Sequence, residues 1–388
     1  MKILFVISST TLYGGASKSL LNLIYGLKAL GVSVFVVCPD RQGLYLTLQD
    51  DGIPVFALSY RPATLPPYSS IIELLLFIPR LIGRLLLNIS ASIKLTAIAR
   101  AINPHIIHTN VSVISIGYNV SRMLKIPHVW HIREYGDLDF HLQFYYTRKK
   151  QLKRYTKNNS YTICITKDIQ RYNKLQLNIN SRVIYNGISS TNKTSYSSKK
   201  VPYFLFAGRL EHAKGIISLI DAYATYYHTV KDPLPLHIAG EGDMRYVEHV
   251  LSRIDSYGIA DKVQLLGMQE NIVSLYQEAT ALIIPSISEG FGRVTAEAMF
   301  HGCLVIGNDI AGSKEQFDNG KELTGDEIAL RYTTQEQLVR HLIDVSKKTI
   351  EQYKPMIIRA QETVKQLYST EQHIQQVYNF YNEIMHQQ

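Results

Sequence analysis

Residues 281–299 of the chain read ALIIPSISEGFGRVTAEAM. An apolar run ends at Pro285, Gly290 and Gly292 allow a tight turn, and small and apolar residues at helical spacing follow from Arg293. In such a unit the amides that open the helix face an anion. The stretch therefore predicts a strand, a glycine loop and a helix of an α/β fold, with an anion site at the strand's carboxyl end.

Short apolar runs separated by helical stretches recur along the 388 residues. They lie at 3–7, 32–37, 53–58, 105–108, 128–131, 161–166, 182–185, 203–207, 236–239, 263–266, 281–285 and 304–306. This alternation is typical of parallel sheets covered by helices on both faces. We predict two doubly wound, Rossmann-like domains facing a cleft, at residues 1–188 and 203–369, joined by a polar linker at 189–202.

Charge is distributed unequally between the two halves. Residues 1–190 contain 22 Lys and Arg against 8 Asp and Glu, a net charge of +14, whereas the rest contains 19 against 24, a net charge of −5. A basic half is typical of proteins that bind nucleic acid, an anionic membrane or an anionic substrate. Because no recognisable nucleic-acid-binding module accompanies the charge, we expect no nucleic-acid partner.

The compartment predicted from the sequence is the cytoplasm. The apolar start at residues 3–7 is short and is soon followed by a Gly-Gly pair, which favours a buried first strand over a signal peptide. Cys38, Cys164 and Cys303 are odd in number and isolated in apolar runs. They predict neither a disulfide framework nor a metal site.

A strongly apolar segment at residues 71–87 is interrupted by Glu73, Arg80 and Arg84, so no uncharged run is long enough to span a bilayer. Two interpretations remain open. One is a core helix whose arginines reach solvent; the other is a helix over residues 71–100 that lies in the interface of an anionic membrane. The basic stretch 148–157 would add attraction to the inner face of such a membrane, although by itself it is typical of a solvated helix face.

Two further glycine turns follow apolar runs in the second half. Arg209 and Lys214, just after Gly208, stand at the carboxyl end of a predicted strand and are suited to neutralise a diphosphate. The stretch Gly240-Glu241-Gly242 ends another strand. It is only half of a dinucleotide-binding fingerprint, so it gives a nicotinamide site little support.

Glu289 and Glu297 flank the glycine loop after residue 285, one before the predicted helix and one a turn inside it. Each carboxylate can accept two hydrogen bonds from neighbouring hydroxyls, which suits a sugar-like ligand. The alternative is structural, with Glu289 as a helix cap and Glu297 as a surface residue.

In order and spacing these motifs resemble those of retaining GT-B glycosyltransferases of family 4. The matching pieces of the second half are Gly208-Arg209-Leu210 with Lys214-Gly215, Gly240-Glu241-Gly242, and the E-x7-E pair Glu289/Glu297 within Glu-Gly-Phe-Gly. In the first half, Gly14-Gly15-Ala16, His131 and Asn186-Gly187-Ile188 resemble that family's glycine loop, cleft histidine and pre-linker motif. The resemblance covers essentially the whole chain and implies a GT-B fold, in which a terminal helix at about 370–388 returns to the first domain.

The resemblance also implies an activity. Such enzymes move a sugar from a nucleotide-sugar donor to an acceptor with retention of configuration, without a metal or other cofactor. Arg209 and Lys214 would bind the diphosphate, Glu297 the ribose and Glu289 the donor sugar, with His131 beside that sugar. The implied catalytic residues are His131, Arg209, Lys214 and Glu289, and the implied donor-binding residues are Gly15, Ala16, Gly208, Arg209, Lys214, Gly240, Gly242, Gly267, Met268, Glu289, Gly290, Phe291, Gly292, Arg293 and Glu297.

The acceptor implied by this assignment is a glycan, and the basic first half suits one linked to a lipid diphosphate in surface polysaccharide or glycoconjugate biosynthesis. A nucleotide-sugar epimerase of the same fold and a catalytically silent partner subunit remain alternatives. Asp137-Leu138-Asp139 matches the DxD metal motif of another glycosyltransferase fold, but the family resembled needs no metal, so we expect none. Ala311-Gly312 stands where that family often has Gly-Gly, which leaves the donor sugar open.

Overall fold

The computed structural model describes residues 1–12, 15–66, 68, 70–140 and 142–387. The chain divides into two compact units. The first consists of Met1–Gly187 and His373–Gln388, and the second of Ile188–Gln372.

A parallel sheet of seven strands, in the order β3-β2-β1-β4-β5-β6-β7, forms the centre of the first unit. The strands are β1 (Lys2–Val6), β2 (Ser33–Cys38), β3 (Val55–Ala57), β4 (Ile106–Thr109), β5 (His128–Ile132), β6 (Ser160–Cys164) and β7 (Ser181–Val183). The helices between them are α1 (Gly15–Ala29), α2 (Leu44–Asp50), α3 (Ile71–Leu75), α4 (Phe77–Ile102), α5 (Ile116–Leu124), α6 (Asp137–Phe140), α7 (Arg148–Tyr155) and α8 (Lys167–Tyr172).

Alternate residues of each strand enter different cores, because side chains of a strand point to opposite faces of its sheet. Phe5 of β1 packs in one core with Leu23 of α1. Its neighbour Leu4 packs in the other core with Leu95 of α4. Both faces of the sheet are therefore covered, which explains why its strands are almost continuously apolar.

The second unit has a parallel sheet of six strands in the order β10-β9-β8-β11-β12-β13. The strands are β8 (Val201–Ala207), β9 (Leu236–Ala239), β10 (Val263–Gly267), β11 (Ala279–Ile284), β12 (Val305–Asn308) and β13 (Leu330–Tyr332). The helices are α9 (Ile216–Thr229), α10 (Met244–Tyr257), α11 (Ile272–Glu278), α12 (Arg293–Phe300), α13 (Ala311–Thr324), α14 (Gln335–Lys347) and α15 (Lys354–Leu367). The last helix, α16 (Thr370–His386), begins in this unit and continues in the first. Strands β8 and β11 are neighbours in this sheet, so the loops that follow them meet at one edge.

Residues 189–202, predicted as a linker, are packed onto the second unit. Ser195 N donates to Phe300 O at 3.2 Å, Ser195 O accepts from Gln361 Nε2 at 2.7 Å, and Tyr196 packs against the core of that unit. Polar composition gave no sign of these contacts, because backbone groups make most of them. The terminal helix α16 begins in the second unit, and its residues from His373 onward belong to the first.

Helix α4 is long and apolar enough to cross a membrane, alone among the helices of the described residues, and 33% of its most apolar stretch is buried. Its buried residues, none of which precedes residue 88, are Asn88, Ala91, Leu95, Thr96, Ala99 and Ile102. The interpretation of this segment as a core helix expected Arg80 and Arg84 to reach solvent, but both side chains contact other parts of the protein. Arg84 Nη1 donates to Thr64 O at 2.9 Å, and Arg80 Nη1 lies 3.6 Å from Glu73 Oε1.

Candidate functional site

Three strands of the second unit end in glycine turns that hydrogen-bond to one another. Gly208 N, after β8, donates to Ala239 O of β9 at 2.9 Å, and Gly240 N donates to Gly267 O of β10 at 2.8 Å. Two residues further on in each chain segment, Leu210 N donates to Glu241 O at 2.8 Å. The structure therefore brings together the predicted residues Gly208, Gly240, Gly242 and Gly267, and the exposed Met268 follows them.

Two positions of this region require glycine, Gly240 in one of these turns and Gly215 in the turn after Lys214. Gly240 has a φ of +147°, and a Cβ there would lie 1.8 Å from Gly208 O. Gly215 has a φ of +68°, and a Cβ there would lie 1.9 Å from Pro285 O. The second close approach holds the turn carrying Lys214 against the loop that follows β11.

The closest charged contact of this region joins Lys214 to Glu289. Lys214 Nζ lies 2.8 Å from Glu289 Oε1, and both side chains are partly buried. The backbone supports the contact, because Ile287 N donates to Ala213 O at 2.9 Å. Two residues that the sequence predicted for a diphosphate and for a sugar thus lie side by side.

The loop after Glu289 leads into α12 through Gly292, which caps the helix with a φ of 84°. Arg293 Nη2 lies 3.1 Å from Glu297 Oε1 one turn along the helix. Phe291 is buried against the ring of Tyr368. The predicted helix begins at Arg293 as expected, and its first amides carry the positive end of the helix dipole.

Arg209 extends further into solvent than the other predicted cations. Its guanidinium lies 3.0 Å from Glu211 Oε1, and 62% of its side chain is exposed. An exposed ion pair contributes little to stability. Arg209 is therefore suited to exchange its partner for a ligand phosphate.

Helix α13 holds the glycine loop in place, and sequence reasoning missed most of this support. Gly312 N donates to Glu289 O at 2.9 Å, and a Cβ on Gly312 would lie 2.6 Å from the backbone of Phe291. Gln316 Nε2 donates to Gly292 O at 2.9 Å. The only sequence signal for this support was Ala311-Gly312, which departs from the family's Gly-Gly. Nothing in the sequence singled out Gln316.

A buried polar network in the first unit contains His131, which is fully buried on β5. Its Nδ1 accepts from Arg133 Nη2 at 3.3 Å, so the neutral ring carries its proton on Nε2. Burial lowers the pKa of His131 well below its usual value, and the Arg133 charge lowers it further. Arg133 Nε also donates to Asn110 Oδ1 at 3.1 Å, and its Nη1 donates to Asn186.

Sequence reasoning did not select Arg133 or the neighbouring Glu134, although both directly follow a buried strand. Glu134 Oε1 accepts from Ser112 N at 2.8 Å and from Ser112 Oγ at 2.6 Å.

The predicted Gly15 is the first residue of α1, and the next residue, Ala16, is exposed. Gly14 lies outside the described residues.

Asp137, the first residue of the DxD match, contacts two neighbouring side chains. Asp137 Oδ2 accepts from the Tyr172 hydroxyl at 2.6 Å and lies 3.6 Å from Arg148 Nη1. In the described part of the chain, no three His, Cys, Asp or Glu side chains form a group able to hold a metal ion.

Two family models match the chain. The one described as "Glycosyltransferase Family 4" matches residues 13–191, and the one described as "Glycosyl transferases group 1" matches residues 189–363. Together they span both units.

Curated relatives are glycosyltransferases by name. The "Uncharacterized glycosyltransferase MJ1607" of Methanocaldococcus jannaschii is 39% identical over 29% of this chain and 28% of its own length. A Campylobacter jejuni "GalNAc-alpha-(1->4)-GalNAc-alpha-(1->3)-diNAcBac-PP-undecaprenol alpha-1,4-N-acetyl-D-galactosaminyltransferase" is 30% identical over 38% of this chain and 42% of its own length. The chain thus spans less than half of the length of either relative.

Solved structures agree in fold over nearly the whole chain. Anabaena Alr3699/HepE in complex with UDP has a TM-score of 0.76 at 20% identity and covers 99% of this chain and 100% of its own. The same protein has also been solved with UDP-glucose. With both units matched by family models and the architecture matched throughout, the chain belongs to the group 1 glycosyltransferases and has the GT-B fold.

Proposed function

We propose that this chain is a retaining glycosyltransferase that moves a sugar from a nucleoside-diphosphate sugar to a glycan acceptor. The observation that carries the proposal is the Lys214–Glu289 pair, 2.8 Å apart beside the glycine loop that opens α12. A cation, a carboxylate and helix amides at one sheet edge provide groups for a diphosphate and for sugar hydroxyls. That HepE binds UDP and UDP-glucose supports a nucleotide-sugar donor here.

Catalysis would come from stabilising the leaving nucleotide. As the sugar–phosphate bond breaks, negative charge grows on the diphosphate, and Lys214, Arg209 and the first amides of α12 would stabilise that charge. Glu297, oriented by Arg293 at 3.1 Å, would accept hydrogen bonds from the ribose. Because the chain supplies these cations itself, we propose that transfer needs no metal.

The experiment is a transfer and donor-hydrolysis assay on the purified chain with a panel of UDP, GDP and ADP sugars. Arg209→Ala is expected to lower activity about 100-fold, the usual effect of losing one charge-stabilising donor. Arg340→Ala, which removes an arginine from the exposed face of α14, is the matched control and should retain activity. Activity should persist in EDTA, and NMR of the product should show retention of configuration.

An outcome without sugar transfer or donor hydrolysis across the panel would contradict the proposal. Interconversion of two nucleotide sugars in the absence of an acceptor would identify an epimerase instead. If Arg209→Ala and Arg340→Ala lowered activity equally, the result would contradict a catalytic role for Arg209.

The acceptor that we propose is a lipid-linked glycan at an anionic membrane surface. The Campylobacter relative, by its name, acts on a diphospho-undecaprenol-linked glycan. In this chain, α3 and α4 expose a stripe of large apolar side chains. The best exposed along α4 are Ile78, Ile82, Leu86, Ile89 and Ile93, which are 51–66% accessible.

This apolar stripe follows one face of α4, because its members are separated by three or four residues. Arg84 and Arg80 contact the protein itself, so the stripe is not divided by their charges. The cations of residues 148–157 belong to the same unit. Thr64, which accepts from Arg84 of α4, pairs with Phe144, four residues before that segment begins. An apolar face and a group of cations in the same unit favour binding to an anionic bilayer surface.

Co-sedimentation with phosphatidylglycerol vesicles tests this part of the proposal. The double variant Ile82→Ser/Leu86→Ser is expected to lose most of its binding, whereas Ile358→Ser, an equally exposed isoleucine of α15, should bind as the wild type does. Equal binding by the double variant and the control would contradict a role for the stripe.

A further inference from the structure

An open cavity of about 420 Å³ lies beside α7 in the first unit, and none of its lining residues belongs to a motif that matches the family. Four cationic side chains and two neutral polar ones contribute to its lining. The lining residues are Arg148, Lys149, Leu152, Lys153, Thr156, Asn173 and Lys174. No Asp or Glu of the described residues is among them.

Arg148 is held rigidly at the edge of this cavity. Its Nη2 donates to Tyr172 O at 2.6 Å, its guanidinium lies 4.0 Å from the centre of the Tyr172 ring, and Nη1 lies 3.6 Å from Asp137 Oδ2. Its charge is therefore partly balanced by the protein.

The three lysines differ from Arg148 in this respect. Within the described ranges, Lys149, Lys153 and Lys174 make no ion pair with a carboxylate. Lys149 and Lys153 are four residues apart and share one face of α7. Like charges gathered without a counter-charge repel one another, and a bound anion would relieve that repulsion.

Lys174 also has an unusual backbone conformation. Its φ is +53°, and the turn that ends α8 is closed by Lys174 N donating to Arg171 O at 2.9 Å and by Leu175 N donating to Gln170 O at 3.0 Å. Glycine and asparagine are favoured at such helix ends, because other side chains are strained in this conformation. Strained backbone conformations are frequent at functional sites.

We infer that Arg148, Lys149, Lys153 and Lys174, the lysine pocket, bind the phosphate or diphosphate head group of a lipid. Lysines act as flexible point charges toward phosphate oxygens, and Arg148 adds a fixed donor. The lipid is indicated by the apolar stripe of α4 in the same unit. A phospholipid and a diphosphate-linked acceptor offer the same phosphate chemistry, and both sources rest on the membrane surface and the lipid-linked acceptor of the proposed function.

Vesicle binding by the full-length chain tests the inference. The probes are phosphatidylcholine vesicles that carry either phosphatidylglycerol or farnesyl diphosphate at equal surface charge, with inorganic pyrophosphate as a soluble competitor. Lys149→Ala, Lys153→Ala and Lys174→Gly should each weaken binding roughly tenfold, the effect of losing one charge-assisted hydrogen bond. Lys174→Gly also removes backbone strain, so its loss of binding cannot come from unfolding.

The matched control is Lys150→Ala, which removes one positive charge from the same helix outside the pocket. It should weaken binding less than about threefold, because only diffuse attraction is lost. A preference for phosphatidylglycerol or for farnesyl diphosphate identifies the source and supports the pocket either way. Equal effects of Lys150→Ala and Lys149→Ala, or no competition by pyrophosphate, would overturn it. Nucleotide binding by the same variants is measured in parallel. If they bind nucleotide as the wild type does, a failed vesicle test contradicts the lysine pocket and leaves the proposed donor site intact.

Discussion

Lys214 Nζ and Glu289 Oε1 lie 2.8 Å apart, with 20% and 14% of their side chains exposed. The two residues are 75 positions apart in sequence, and they meet because β8 and β11 are neighbours in the sheet. Each group of this partly buried pair can form further hydrogen bonds. The ammonium can donate to phosphate oxygens, and the carboxylate can accept from sugar hydroxyls. This pair therefore defines the point around which the donor would bind.

Replacing the cation of this pair should damage catalysis more than stability. We predict that Lys214→Ala lowers kcat/KM about 100-fold, because a stabilising charge at the leaving group is lost. The free energy of unfolding should fall by only about 1 kcal/mol, the scale of a partly exposed ion pair. Steady-state kinetics and urea unfolding measure the two effects. A loss of activity no larger than that of Arg340→Ala would contradict this role for Lys214.

The glycine turns of the second unit should tolerate no side chain where backbones touch. Gly240→Ala would place a Cβ 1.8 Å from Gly208 O, and we predict a loss of at least about 2 kcal/mol in unfolding free energy. Gly258→Ala is the control, since Gly258 also has a positive φ, +64°, but no atom within 4 Å of the added Cβ. Its cost should stay near 1 kcal/mol. Equal costs for the two variants would show that the contact with Gly208 is unimportant.

Ala311 stands at a position that suits glycine. Its φ is +49°, in the left-handed region that costs a residue with a side chain roughly 1 kcal/mol. We predict that Ala311→Gly stabilises the chain by about 0.5–1 kcal/mol, a change that thermal unfolding can detect. The same substitution at Ala222, inside α9, should be destabilising. Destabilisation by both would contradict the strain assigned to Ala311.

Buried histidines should make the first unit sensitive to acid. Burial lowers the pKa of His128 to about 3, and it lowers those of His108 and His131 well below their usual value. Each histidine stays neutral in the folded chain but takes up a proton when unfolded below about pH 6.5. Stability should therefore fall as pH decreases from 6.5 toward 3, by about 1.4 kcal/mol per pH unit for each such histidine.

The single tryptophan offers a local measurement of this effect. Trp130 is buried with its ring 4.6 Å from that of His128, so its fluorescence reports the unfolding of the first unit. Urea titrations at pH 7.5 and 5.5 should show a smaller pH dependence for His128→Gln than for the wild type. An unchanged pH dependence in that variant would mean that His128 does not contribute.

Much of the fold could be predicted from the sequence, because parallel strands buried on both faces appear as apolar runs. All twelve runs overlap strands of the two sheets. Strand β13 was missed, since its three residues include Arg331 and form no apolar run. The packing of residues 189–202 was also missed, because it depends on backbone contacts made by residues with no hydrophobic pattern.

Less of the site could be predicted, because contacts between residues distant in sequence leave no local pattern. The glycines and charged residues near Lys214 and Glu289 stand out individually in the sequence. The support from Gln316 and the network around Arg133 depend on contacts between distant elements, and neither residue belongs to a pattern that sequence reasoning could weigh. The inward direction of Arg84 likewise depends on Thr64, which is twenty positions away.

The measurement that tests the central claim most directly is a thermal-shift screen of UDP, GDP, ADP and their sugars against the wild type and Glu297→Ala. A ligand that binds only the folded chain adds about 2.7 kcal/mol of stability at a concentration of 100 times its Kd. The account predicts that at least one nucleoside diphosphate raises the melting temperature of the wild type in a concentration-dependent way, and that Glu297→Ala greatly reduces this shift. No shift with any nucleotide, or an identical shift in Glu297→Ala, would contradict a donor site in the second unit.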